Sequence, residues 1–219
     1  MKKILLLAGG SGSRFKSEKP KQFHIINRKM MIEFVVSVCL AVAPTDQLYI
    51  VCNKSWCDFL SKRLKSKPHI IPGGETRIES TLIGLKSMNP RDEDYIYIVE
   101  SNRPLLKSAH LRKLFSVLQT NSEKKGAIYI NDIKESIFKS TKRSVTSVPK
   151  SGFSIGQTPY LLKGEVVQKL LKKSPKKLTD ELDILSLVGI NSLLMIKTEF
   201  NNIKVTTKQD FKIVSAILK

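Results

Sequence analysis

Cysteine is scarce in this chain. Cys39, Cys52 and Cys57 are the three present among 219 residues. An odd number, with no leader-like N-terminus, points to free thiols in a reducing, cytoplasmic compartment. Cys52 and Cys57 have no further Cys or His at metal-ligand spacing. His24, His69 and His110 are scattered, so no structural zinc is expected. Long apolar runs are missing too. Nothing approaches 18 consecutive apolar residues, which excludes a spanning helix and any membrane partner. The run from Met1 to Ala8 is too short for a signal peptide, and glycines follow it at once. Acidic residues are few: 19 Asp and Glu stand against 38 Lys and Arg, a formal net charge of +19. Such an excess suits nucleic acid, an anionic membrane or phosphorylated substrates. The longest basic cluster, Lys172-Lys173-Ser174-Pro175-Lys176-Lys177, is short. No RNA-recognition or zinc-finger signature accompanies it, so it reads as a solvated face and no nucleic-acid partner is expected.

Apolar residues make up 41% of the chain, enough for a sizeable core. The length suggests one domain over 1–219. Ile4-Leu5-Leu6-Leu7-Ala8 is a continuous apolar run that stops at Gly9-Gly10-Ser11-Gly12-Ser13-Arg14. That suits a buried parallel strand ending in a phosphate-binding turn. Met31, Phe34, Val35, Val38 and Val42 repeat at helical spacing up to Pro44. Leu48–Cys52, His69–Ile71 and Tyr95–Val99 read as strands. Helical stripes at 56–64, 78–85 and 111–118 lie between or after them. Strand and helix alternate four times in about 120 residues, which implies an α/β, Rossmann-like open sheet, mostly parallel, with helices on both faces. Ligands in such sheets bind at the carboxyl ends of the strands, so the segments after Ala8, Ile71 and Val99 should meet. From Ala127 the pattern becomes a strand and then a polar, stripe-free β-arm at about 132–156. Helical signals return at Val166–Leu171 and at Leu182, Leu185 and Val188. Leu193–Ile196 and Ile203–Val205 look like late strands, and Phe211–Leu218 like a last helix.

The glycine-rich loop is not a dinucleotide fingerprint, because Phe15 stands where the third glycine is needed. It is not a P-loop either. Its glycines let backbone N–H groups approach a polyphosphate, with Arg14 and Lys21 close by. The longer string Leu7-Ala8-Gly9-Gly10-Ser11-Gly12-Ser13-Arg14, then Lys19-Pro20-Lys21-Gln22-Phe23, resembles the nucleotide-binding signature of the methylerythritol-phosphate and ribitol-phosphate cytidylyltransferase family. Gly73-Gly74-Glu75-Thr76-Arg77 with Ser80, Arg103-Pro104-Leu105, Gly156-Gln157-Thr158-Pro159, Thr179-Asp180-Glu181 and Asn202-Ile203-Lys204-Val205-Thr206 resemble further motifs of that family, in its order. The resemblance covers nearly the whole chain.

That resemblance implies a nucleotidyltransferase that moves CMP from CTP to a small polyol phosphate, with Mg²⁺ as cofactor and pyrophosphate as product. It implies that Arg14, Lys21 and Lys204 are catalytic. Ala8, Gly9, Gly10, Gly12, Gly74, Glu75, Ser80 and Ser101 would hold the nucleotide. Arg103, Ser136, Lys150 and Thr158 would take the second substrate, Lys150 reaching across from the arm of a homodimer partner. In the central motif the family usually has His-Asp-Ala-Ala-Arg-Pro or His-Asp-Ala-Val-Arg-Pro. Here Val99-Glu100-Ser101-Asn102-Arg103-Pro104 stands instead. Glu100 falls on the metal-holding Asp and keeps a hard oxygen ligand one methylene further out.

Leu-Ala-Gly-Gly in the first motif and Gly-Gln-Thr-Pro in the C-terminal one favour ribitol 5-phosphate or a related pentitol phosphate, in cell-surface polymer synthesis. The alternative acceptor is 2-C-methyl-D-erythritol 4-phosphate, in isoprenoid synthesis. A basic nucleic-acid-binding module and an inactive homologue remain as readings of another class.

Overall fold

A computed structural model describes residues 1–10, 12–172, 184, 189–198 and 200–219. The Thr179-Asp180-Glu181 motif, the stripe at Leu182, Leu185 and Val188, Ser11, and the basic cluster beyond Lys172 lie outside those residues. Eleven strands occur among the described residues: β1 (Lys2–Ala8), β2 (Ile25–Ile26), β3 (Lys29–Met30), β4 (Leu48–Cys52), β5 (His69–Pro72), β6 (Tyr95–Glu100), β7 (Gly126–Asp132), β8 (Ile137–Ser140), β9 (Val145–Val148), β10 (Ser154–Lys163) and β11 (Leu193–Lys197). The α-helices with described bounds are α1 (Met31–Leu40), α2 (Cys57–Arg63), α3 (Arg77–Ser87), α4 (Ser108–Thr120), α5 (Gly164–Lys172) and α6 (Lys208–Ile217).

Seven strands form one sheet in the order β11-β7-β10-β6-β1-β4-β5. β1 pairs in parallel with β4 and β6, and β4 with β5. β10 alone runs against its neighbours, β6 and β7. The unbroken apolar run of β1 follows from its central place, because both of its faces are covered. Ile4, Leu6 and Ala8 pack with residues of α1, α2 and α4. Leu5 and Leu7 pack on the other face with residues of α3 and α5. A third, smaller cluster holds Phe15, Ile26, Met31, Val205 and Val214. It seats two loops and α6 against each other beside the sheet.

One expected strand is absent, and one strand was not expected. Ile203–Val205 forms no strand. Val205 is instead fixed by a local exchange with Asn102: its N–H donates to the Asn102 carbonyl, and its carbonyl accepts from the Asn102 side chain. The ten-residue β10 is absent from the sequence-based reading. Gly156 and Pro159 lie inside it, and both count against a strand when read locally. It accommodates them by a register shift between Gln157 and Tyr160. The polar arm at 132–156 folds as a separate two-stranded hairpin, β8 with β9, flanked by the ends of β7 and β10. All three cysteines are free thiols.

Candidate active site

The parallel strands β1, β4, β5 and β6 end on one edge of the sheet, and a cavity of about 420 Å³ opens there. Local chemistry shapes each wall. After β1 the chain turns through Gly9, Gly10 and Gly12. Gly12 has φ +71°, a left-handed conformation that side chains rarely adopt. The buried Gln22 donates to the Ala8 carbonyl at 2.5 Å and ties the loop back to the strand. Phe15 is buried in the third cluster, next in sequence to Arg14. After β5, Thr76 caps α3. Its hydroxyl accepts from the Glu79 N–H at 3.1 Å, while the Glu79 carboxylate accepts from the N–H groups of Thr76 and Glu75. This reciprocal box is the Thr-x-x-Glu signature at a helix start. It holds the Gly74-Glu75 turn and aims Arg77 at the cavity. A Cβ on Gly74 would sit 2.5 Å from the Glu79 Cβ, so only glycine fits there without displacing that side chain.

The third wall is the end of β6. Glu100 is buried, and both its oxygens are engaged. Arg77 and Lys204 meet Oε1, Lys204 at 2.6 Å. Arg103 Nε donates to Oε2 at 2.8 Å, and the Thr158 hydroxyl donates to the same oxygen at 2.7 Å. Burial alone would raise the Glu100 pKa. The adjacent Arg77, Arg103 and Lys204 outweigh it and hold the carboxyl well below the usual range. Lys21 is lowered as well, which for a cation disfavours the charged form. Burial lowers its pKa first, then the nearby Lys204 and Arg14, with Glu100 opposing. Cations held close together against their own repulsion make a site that an anion would relieve.

Gly9, Gly10, Gly12, Arg14, Lys21, Gly74, Glu75, Ser80, Glu100, Ser101 and Lys204 all border this one cavity. Residues 190 positions apart in sequence, Arg14 and Lys204, thus converge on one cavity, which suits an enzyme site better than a continuous basic patch. Ala8 does not line this cavity and borders a smaller hollow that shares Gly9, Gly10, Gln22 and Asn53 with it. Arg103 and Thr158 stand behind Glu100 and touch its carboxylate rather than the cavity. Ser136 and Lys150 are exposed around the hairpin, away from the cavity of their own chain. Lys150 donates to the Lys134 carbonyl.

Sequence reasoning assigned no role to Arg77 or Asn53, and noted Asn102 only as a replacement of a small apolar residue beside the substrate. Arg77 was in view inside a motif, but nothing marked it as the partner of Glu100. Asn53 follows β4, whose carboxyl end belongs to the site as much as those of β1, β5 and β6. That signal was available in the strand pattern.

The chain matches the family model for IspD, 2-C-methyl-D-erythritol 4-phosphate cytidylyltransferase, over residues 3–219. It is 31% identical over 220 residues to the 2-C-methyl-D-erythritol 4-phosphate cytidylyltransferase of Buchnera aphidicola subsp. Acyrthosiphon pisum, covering 97% of this chain and 91% of that one. The enzyme of the same name from Idiomarina loihiensis is 27% identical, over 94% of this chain and 87% of its own. Among solved structures, that of 4-diphosphocytidyl-2C-methyl-D-erythritol synthase from Anaerococcus prevotii has a TM-score of 0.77. It is 21% identical and covers 99% of this chain and 95% of its own.

Proposed function

The chain belongs to the 2-C-methyl-D-erythritol 4-phosphate cytidylyltransferase family, and on that premise we propose that it transfers CMP from CTP to 2-C-methyl-D-erythritol 4-phosphate. It is a CTP-dependent cytidylyltransferase. The acceptor is the proposal. It replaces the pentitol phosphate favoured by the first and C-terminal motifs, and with it a place in cell-surface polymer synthesis, since the family model and the relatives carry the methylerythritol name.

In this reading a phosphate oxygen of the acceptor attacks the α-phosphorus of CTP. A new P–O bond forms, the bond between the α-phosphorus and its bridging oxygen breaks, and pyrophosphate leaves. The nucleophile is already an anion, so no strong base is needed. The task is to gather anions and to stabilise charge at the α-phosphate and the leaving group. Arg14, Lys21 and Lys204 are the groups for that task. The observation that carries the reading is their convergence on one cavity with the glycine turn. Gly74 and Glu75 in the turn before α3, and Ser80 in its first turn, take the base and ribose.

Mg²⁺ is commonly held by one or two carboxylates plus substrate phosphates. Among the described residues no group of three or more His, Cys, Asp and Glu could hold a metal. Glu100 is a buried carboxylate on the cavity wall, and the triphosphate would bring the remaining oxygens. Glu100 Oε1 is paired with Arg77 and Lys204, and Oε2 with Arg103 and Thr158, so Glu100 would serve as the protein's ligand for Mg²⁺ only by giving up one of these partners to the incoming phosphates. The metal would supply charge neutralisation at the phosphates.

The exposed hairpin is read as a dimer arm. Phe138 and Val145 are 60% and 65% exposed, and Phe153 and Ile155 beyond the hairpin are 54% and 53% exposed. A twofold partner would cover them and place Ser136 and Lys150 at the neighbouring cavity. Phosphorus NMR on purified protein with CTP, Mg²⁺ and 2-C-methyl-D-erythritol 4-phosphate tests the function. The expected outcome is loss of the CTP signals, a new diphosphate diester and free pyrophosphate in equal amounts. Orthophosphate release, or unchanged CTP, would refute it.

A further inference from the structure

Lys204 lies in a stretch, 201–206, with no regular secondary structure. Its side chain is long and flexible, so the 2.6 Å approach of Nζ to Glu100 depends on where its backbone is held. Two neighbours hold it. Upstream, the Asn202 carbonyl accepts from Arg103 Nη1 at 2.7 Å, and Asn202 Nδ2 donates to the Thr158 carbonyl at 2.7 Å. Downstream, one residue binds both backbone groups of Val205. The Val205 N–H donates to the Asn102 carbonyl at 2.8 Å, and Asn102 Nδ2 donates to the Val205 carbonyl at 3.0 Å. The Val205 side chain is fully buried with Phe15, Ile26, Met31 and Val214. Asn102 is itself buried and follows Glu100 by two positions at the tip of β6.

We propose that Asn102 is a positioning residue for the transfer reaction, its side-chain amide fastening the segment that carries Lys204. The same strand tip presents Glu100 to Lys204 and clamps the backbone one residue further on. Any residue could offer the main-chain acceptor, but the donor to the Val205 carbonyl needs the side chain. An ionised Asp has nearly the same shape and only acceptors, so it separates the donor from the packing. The departure from a small apolar residue at this place in the central motif thereby gains a structural use. The inference rests on the reading of the cavity as a cytidylyl-transfer site.

Two measurements on the full-length protein test it. The first is hydrogen exchange of the peptide spanning 200–207 in wild type, Asn102→Ala and Asn102→Asp, which needs no substrate. Faster exchange in both variants, with β6 still protected and the melting temperature showing a folded protein, is expected. Unchanged exchange overturns the proposal. The second is turnover with CTP, Mg²⁺ and the methylerythritol acceptor, where wild-type activity judges the functional reading by itself. Either substitution should lower kcat roughly ten- to hundredfold, the scale of a small misplacement, with KM for CTP nearly unchanged. In a Lys204→Ala background the same substitution should cost less than about twofold, because groups acting through one another are not additive. Equal losses in both backgrounds would reduce Asn102 to general support and overturn its role as the holder of Lys204.

Discussion

Lys21 and Glu100 carry opposite charges, and the fold shifts both pKa values downward for opposite reasons. Lys21 is lowered by burial and then by its cationic neighbours. A lysine lowered in this way binds its proton less tightly folded than unfolded. Its protonation therefore opposes folding, and that penalty fades as pH rises from the folded value toward the ordinary 10.5. Activity that needs the cation runs the other way. The alkaline limb of kcat/KM should fall below the ordinary lysine value, and the limb of kcat should lie higher, because bound triphosphate favours the charged form. Lys21→Ala should abolish both limbs and lower kcat about a hundred- to thousandfold. pH–rate profiles of the two proteins check this. For Glu100 the folded pKa is depressed, so its contribution is fully present above the ordinary 4.5 and is lost as pH falls below it. Glu100→Gln removes the counter-charge shared by Arg77, Arg103 and Lys204. Lys204 is 37% exposed, so the lower end for breaking a buried pair applies, roughly 3 kcal/mol. Melting should fall by roughly 6–12 °C, the acid-side slope of stability should flatten, and more Mg²⁺ should be needed for turnover. An unshifted melting curve would remove Glu100 from the centre of the cluster.

At the scale of elements, the site depends on how closely α3 approaches the sheet. A Cβ on Gly84 would lie 2.4 Å from Leu5 Cδ1 and 2.7 Å from Val51 Cγ2. Gly84→Ala should therefore push α3 off β1 and β4, at a cost of about 1–3 kcal/mol. Because α3 begins at Arg77, turnover should drop along with melting temperature. Calorimetry and initial rates on one preparation would show whether the two move together. Much of this layer is legible in the sequence. β4 spans Leu48–Cys52 as its apolar run implies, and α1, α3 and α4 follow their stripes to within a few residues. What is not legible depends on contacts distant along the chain. β10 is a strand because β6 and β7 supply ladders on both its sides, which overrides Gly156 and Pro159. Val205 looks like strand because it is apolar and β-branched. Its burial comes instead from a cluster with Phe15 and Val214. The same limit hid Arg77 and Asn102, whose roles appear only when β6, α3 and the 201–206 stretch meet.

For the whole molecule, the hairpin and the basic charge are the features a single chain leaves unused. Ser136 and Lys150 stand outside their own cavity, and the hairpin exposes Phe138 and Val145. The proposed twofold dimer would account for both exposures. Arg14→Ala and Lys150→Ala subunits should each be nearly inactive alone. Mixed by co-refolding, they should regain about a quarter of wild-type sites, since random pairing makes half the dimers mixed with one intact site in each. A monomeric mass in solution with no regain would contradict the shared site. The acceptor and the cavity that receives it are tested most directly by kcat/KM. Wild-type protein with saturating CTP and Mg²⁺ is given 2-C-methyl-D-erythritol 4-phosphate or ribitol 5-phosphate, and pyrophosphate release is followed. A site built to bond one pattern of hydroxyls should favour the methylerythritol acceptor by about a hundredfold or more. A ratio near one, or a preference for ribitol 5-phosphate, would contradict the account.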